Sequence, residues 1–224
     1  AFSDPTIGVV GPLSNAASYQ SVPALRVQTG KESEDWSKNE LPPGPADDPW
    51  TPRGVAAAVA RGSRRRLVDV PVLNGFCLFV KAEVVEAVGL MDEVAFPHGF
   101  GEENDFALRA LAAGYSLKVA DDVYVWHHKS KSYGDATRQA LSAGSAEAMR
   151  ERWGSMLRHA VKLLETNQEL AEARRRVGAS LTGSACGPGR LRVLFVLNPQ
   201  KEHREHEFQM HGGWISIVNE ALGL

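Results

Sequence analysis

Cysteine is nearly absent from this chain: there are two in 224 residues, Cys77 in an apolar stretch and Cys186 in a glycine-rich one. So few thiols, so far apart, make no disulfide framework, and a reducing compartment suits them. Long apolar runs are lacking as well; none approaches the roughly 20 residues of a membrane-spanning helix. Neither sign of charge dominates. The 25 Lys and Arg and the 27 Asp and Glu leave a formal net charge of −2, so no global field draws the chain to nucleic acid. What is present is a 43% hydrophobic content, enough for a packed core. The length allows one large domain, or one domain and part of another. A cytoplasmic location is expected, with at most peripheral contact at the inner face of a membrane.

The pattern along the chain is that of an α/β protein. Ile7 to Val10 is a β-branched run that Gly11-Pro12 should end, a buried strand running into a loop. Residues 28 to 53 hold two glycines and five prolines among many charges and read as a long exposed loop. The pattern then predicts a helix over Val55 to Arg66, a strand over Val70 to Val80 around Asn74-Gly75, and a short helix over Ala82 to Val88. Phe106, Ala107, Ala110 and Leu111 make the apolar stripe of a further helix that Gly114 should end. Leu117 to Trp126 is the next strand. Ser145 to Val177 is helical in pattern and rich in Arg and Glu, and residues 178 to 190 are a linker by composition. Beyond it, LRVLFVLNP (Leu191 to Pro199) reads as a strand, and HGGWISIVNEALGL (His211 to Leu224) as a glycine turn and first helix. Because the chain opens without Met and closes just as a β-loop-α unit starts, it is expected to be a fragment.

Chemistry concentrates in GFGEENDFALRALAAGYSLKVADDVYVWHH, which starts at Gly99. Glu102, Glu103 and Asp105 stand where a helix should begin, and His127 and His128 stand where the next strand should end. Carboxylates and imidazoles brought together suit proton abstraction beside a metal. Acidic residues in a first helical turn are also stabilised by the helix dipole, and a histidine pair at a strand end can simply be a surface feature. A glycosidase reading fits poorly, since its two carboxyls must flank the scissile bond about 5 to 9.5 Å apart. His203, His206 and His211 sit in a polar loop without cysteines, a weak zinc pattern. Arg64, Arg65 and Arg66 form a basic patch with no aromatic interleaving, so a solvated helix end or a contact with an anionic lipid-linked acceptor accounts for it.

Three blocks in order, VGPLSNAASYQSVP, LNGFCLFVKAEVVEAVGLMDE and the acid-to-histidine unit, resemble the C-terminal half of family 2 glycosyltransferases, which have the GT-A fold. The resemblance covers about the first 135 residues. The tail from Arg192 is similar to the opening β-loop-α of GT-B glycosyltransferases of the family 4 type. The resemblance implies a partial GT-A fold, Rossmann-like, with a mixed sheet and flanking helices over residues 1–135. A helical segment at 136–177, a flexible linker at 178–190 and the truncated start of a second Rossmann-like domain at 191–224 would follow. It implies transfer of a sugar from a nucleotide-diphosphate donor to a glycan or lipid-linked acceptor, with inversion and a divalent metal, Mn²⁺ or Mg²⁺. The main metal ligands, an Asp-x-Asp motif, belong to sequence before the matching region. Asp47-Asp48 and Asp121-Asp122 have neither the form nor the place of that motif, so donor binding by these residues alone should be weak.

At the site, the resemblance matches the family's Glu-Asp pair to Glu102 and Glu103, with Glu in place of the usual Asp. The longer side chain leaves Glu103 or Asp105 as the general base, and Glu103 is favoured with Glu102 as its neighbour and Asp105 holding the turn. A histidine at the strand end can complete a metal's coordination in the family, here His128 or His127. Lys129, Ser130, Lys131 and Ser132 would neutralise the departing diphosphate or remain solvated. Asn74, Gly75 and Phe76 would line the donor or acceptor side, unless the glycine marks a simple bulge. Asn15 would contact a substrate or form a turn. The contrasting reading is a non-catalytic GT-A-like module that binds glycans or scaffolds a partner.

Overall fold

A computed structural model describes residues 1–25, 48–97, 101–127 and 135–183. The chain is mixed α/β, with one four-stranded sheet and flanking helices. The expected β-loop-α unit at 191–224, and most of the long loop and of the linker, lie outside the described residues.

The central strand β1 covers Ile7–Leu13 and is buried along its whole length. It runs parallel to β4 (Ser116–Tyr124) and antiparallel to the two-residue β3 (Phe79–Val80). On the other side of β4 lies antiparallel β2 (Leu67–Val70), giving the order β2-β4-β1-β3. Contrary to expectation, β1 does not stop at Gly11-Pro12. The Pro12 carbonyl accepts from Gln20 Nε2 at 2.8 Å. The N–H and C=O of a strand residue point to one side, so the side of Pro12 that lacks a donor faces the Gln20 segment and the β4 ladder loses nothing. Gly11 leaves room for the same segment: a Cβ there would lie 3.0 Å from both Gln20 Nε2 and Leu73 Cδ2.

The continuous strand expected over Val70 to Val80 is also corrected. Pro71 ends β2, and β3 begins only at Phe79. These two strands lie at opposite edges of the sheet, so residues 71–78 must cross it, and Leu73 packs over Gly11 as they do. An apolar run can serve a buried crossing as well as a strand, and periodicity alone does not separate the two.

Helix α1 is Pro52–Gly62, earlier at both ends than the expected 55–66. The Thr51 side chain accepts from Gly54 N–H as N-cap, and Pro52 takes the first helical position, where its missing N–H costs nothing. Helix α2 is Ala82–Val88, as its pattern indicated. Helix α3, Glu102–Ala112, is followed by Gly114 at φ +90°. The helical region beyond is two helices, α4 (Asp135–Glu165) and α5 (Gln168–Leu181), with Asn167 capping the second by accepting from Leu170 N–H at 2.9 Å. Four residues assigned by composition to the linker, 178–181, are therefore helical. Gly178 and Ser180 lowered the expected propensity, but burial of Val177 and Leu181 on one face carries the helix through.

Val55, Ala58 and Val59 on α1 and Leu170, Val177 and Leu181 on α5 share one core with Val68, Leu117 and Val119 of the sheet. Each fully buried valine contributes about 1.5–3 kcal/mol. α1 and α5 approach closely at Gly62, where a Cβ would meet the Arg176 backbone at 3.1 Å. No helix among the described residues is long and apolar enough to cross a membrane.

Candidate functional site

Parallel β1 and β4 present their carboxyl ends on the same side, which in open α/β sheets is where ligands bind. The chain after β1 folds back there, with Ser14 N–H donating to Gln20 C=O at 3.1 Å and Val22 N–H donating to Ser14 C=O at 2.8 Å. Within that fold, Asn15 joins the ends of the two strands. Its Oδ1 accepts from His127 N–H at 2.7 Å, and its Nδ2 donates to His127 C=O at 3.1 Å. A primary amide carries both a donor and an acceptor, so it can pair with both backbone groups of one residue as a neighbouring strand would.

The His127 ring lies against the same segment. Its Nδ1 is 2.7 Å from the Ala16 carbonyl, a contact that places the proton of the neutral ring on Nδ1 and makes Nε2 the acceptor nitrogen. The ring stacks on Phe76, with centroids 5.2 Å apart and planes 18° from parallel. Phe76 is held in turn: its N–H donates to Asn74 Oδ1 at 3.2 Å, and Asn74 N–H donates to Gln20 Oε1 at 2.7 Å. Asn74, Gly75 and Phe76 thus form a side-chain-closed turn rather than a strand bulge. Five expected site residues, Asn15, Asn74, Gly75, Phe76 and His127, are gathered here. His128, Lys129, Ser130, Lys131 and Ser132 lie outside the described residues.

The carboxylates form a second group. The short turn after α3, residues 113–115, reverses the chain into β4, so the start of α3 and the end of β4 face the same end of the sheet. Gly101, at φ +144°, precedes the helix and is packed against Phe96 and Met149, whose side chains a Cβ would approach to 3.2 and 3.1 Å. Its N–H donates to both glutamates: Glu102 Oε2 at 2.8 Å and Glu103 Oε2 at 3.1 Å. Two acids converge on one donor. Burial chiefly, and next the charge of Glu102, push the Glu103 carboxyl up to about 7. Burial raises Glu102 above the ordinary glutamate value as well.

Asp105, on the same helical turn, meets the opposite environment. It is fully buried, yet Oδ1 accepts from Trp153 Nε1 at 2.8 Å and Arg152 Nη1 at 2.9 Å, and Oδ2 accepts from Arg109 Nε at 2.8 Å. Burial is the largest single influence and raises its pKa, but the three donors together outweigh it and hold the carboxyl below the usual aspartate value. Arg152 also reaches Asp92 at 2.9 Å. Asp105 therefore ties α3 to α4 and is a weak proton acceptor.

Asp121, one of the acidic pair after Lys118, is a second buried anchor. It accepts from Ser63 Oγ at 2.6 Å, from the backbone N–H groups of Arg64 and Arg66 at 3.1 and 2.7 Å, and from Arg176 Nη2 at 3.1 Å. Sequence reasoning missed Gln20, Arg152, Trp153 and this role of Asp121. Each acts across dozens of positions, and of them only the acidic pair Asp121-Asp122 stood out locally.

Among the described residues no group of three His, Cys, Asp or Glu side chains is placed to hold a metal ion. A neutral imidazole whose Nδ1–H is held by a carbonyl has the chemistry of a single ligand for a divalent ion such as Mn²⁺, and His127 makes that carbonyl contact. No family model, curated protein or solved structure matches the chain.

Proposed function

We propose that residues 1–135 of this chain are the C-terminal half of a family 2, GT-A-type glycosyltransferase domain. It would transfer a sugar with inversion from a nucleotide-diphosphate donor to a glycan or lipid-linked acceptor. The observation that carries the reading is the contrast within one helical turn. Glu103 is a carboxyl poised near neutral pH, and Asp105 is neutralised by two arginines and an indole. A general base works best with a pKa near the operating pH. Glu103 would take the proton of the acceptor hydroxyl as its oxygen attacks the anomeric carbon and the bond to the donor's diphosphate breaks.

The sugar-binding wall in this reading is the turn at Asn74, Gly75 and Phe76 with His127 stacked on it, both held by the Asn15 and Gln20 amides. A divalent metal, when bound, would offset the charge of the leaving diphosphate. His127 or His128 would supply one ligand, and the others would come from beyond the described residues. Lys129, Ser130, Lys131 and Ser132 are proposed to meet the same diphosphate.

The test is Glu103→Gln in the intact protein, assayed against a panel of nucleotide-diphosphate sugars. Removing the base should lower transfer by about 10²-fold or more while donor binding, measured by calorimetry, stays within about twofold. Transfer at the wild-type rate contradicts the assignment.

A further inference from the structure

Away from these residues, at the β2 edge of the sheet, the segment between α1 and β2 faces α5 across a groove of about 370 Å³. Arg64 and Arg66 line one side, Arg175 and Arg176 the other, and Gln168 and Glu169 bring the first turn of α5 to it. Three of the arginines converge on one carboxylate, Glu172. Arg64 Nη2 lies 3.6 Å and Arg176 Nη1 3.3 Å from Oε1, and Arg175 donates to Oε2. Arg66 pairs with Glu169 at 3.3 Å.

A single carboxylate does not need three guanidinium groups. Arg64, Arg66 and Arg175 are 57%, 62% and 65% exposed, and ion pairs this open contribute little to stability. Arg176 is different. It is 19% exposed and fixed from behind, its Nε donating to Gly62 C=O at 2.6 Å and its Nη2 to Asp121. The groove thus has one rigid cation and three adaptable ones, guanidinium groups of the kind that recognise phosphate. Glu172 stands where such an anion would sit. A phosphate offers three oxygens and a larger charge, so it should displace a monovalent carboxylate from the same donors.

We infer that this groove is a binding site for a phosphate-bearing ligand, with Glu172 as the internal anion that the ligand replaces. The phosphate could belong to a soluble molecule or to a lipid headgroup, and the chemistry at the arginines is shared.

Calorimetric titration of the intact protein with inorganic pyrophosphate, at constant ionic strength in chloride, tests the site. Arg175→Ala combined with Arg64→Ala should weaken binding on the order of tenfold or more, and Glu172→Gln should strengthen it several-fold. Co-sedimentation with phosphatidylcholine vesicles containing phosphatidylglycerol separates the two sources. Arginine-dependent recruitment that pyrophosphate competes away assigns the headgroup, and pyrophosphate binding without recruitment assigns a soluble ligand. Absence of saturable pyrophosphate binding, binding indifferent to all three substitutions, or recruitment that pyrophosphate does not compete overturns the inference. Loss of transfer by Glu103→Gln neither supports nor weakens it.

Discussion

The acidic start of α3 and the arginine-lined edge beside α5 are both dense in charge, and they resolve it in opposite ways. At the groove, Glu169, Glu172 and Asp121 each have a guanidinium partner, and Asp121 has backbone donors as well. At the helix start, Glu102 and Glu103 share one backbone N–H and face each other, and proton uptake rather than pairing relieves them. Asp105 shows that distance along the chain does not decide the outcome. It is two residues from Glu103, yet it behaves like Asp121, because Arg109, Arg152 and Trp153 reach it. The number and kind of donors within hydrogen-bond distance separate a structural carboxylate from a chemically available one.

The largest effect that could break this contrast is on stability. Asp105→Ala would remove the buried carboxylate that Arg109 Nε and Trp153 Nε1 share, with Arg109 keeping only the Val88 and Leu90 carbonyls, and it should destabilise the fold by about 2–4 kcal/mol in urea denaturation. A loss below about 0.5 kcal/mol would mean that the donors relax into solvent and that Asp105 is no anchor. A smaller effect of opposite sign is expected at Glu103. Its folded-state pKa lies above its unfolded value, so the folded state binds the extra proton between about pH 4.5 and 7. Stability from this residue is full below that window and is lost as pH rises through 7. Glu103→Gln carries no such titration. Its stability relative to wild type should therefore improve by about 1–3 kcal/mol from pH 5 to pH 8. Equal denaturant midpoints for the pair across that range would contradict the shift.

Legibility in the sequence followed the range of the forces involved. α2 and α3 were readable from apolar spacing, with Gly114 marking the end of α3, because these signals are local. The clustering of Glu102, Glu103 and Asp105 was equally visible. Their division of roles was not, since it depends on Arg152 and Trp153, which come from a different helix 47 and 48 residues away. Asn15 was open to either reading, turn or ligand contact, because its partner is the backbone of His127, 112 residues on. β1 ran through Gly11-Pro12 because the Gln20 side chain serves the carbonyl there, and no local propensity encodes that. The strand expected at 70–80 failed for a related reason: a buried crossing between two sheet edges has the same apolar composition as a strand.

On the function proposed above, Glu103 is the carboxyl available for proton transfer near neutral pH. Direct titration by carbon-detected NMR of the side-chain carboxyl resonances, with Glu103→Gln used for assignment, measures it most directly. A midpoint for Glu103 near 7 is expected, with Asp105 titrating below the ordinary aspartate value. A Glu103 midpoint at about 4.5, the ordinary glutamate value, would contradict it.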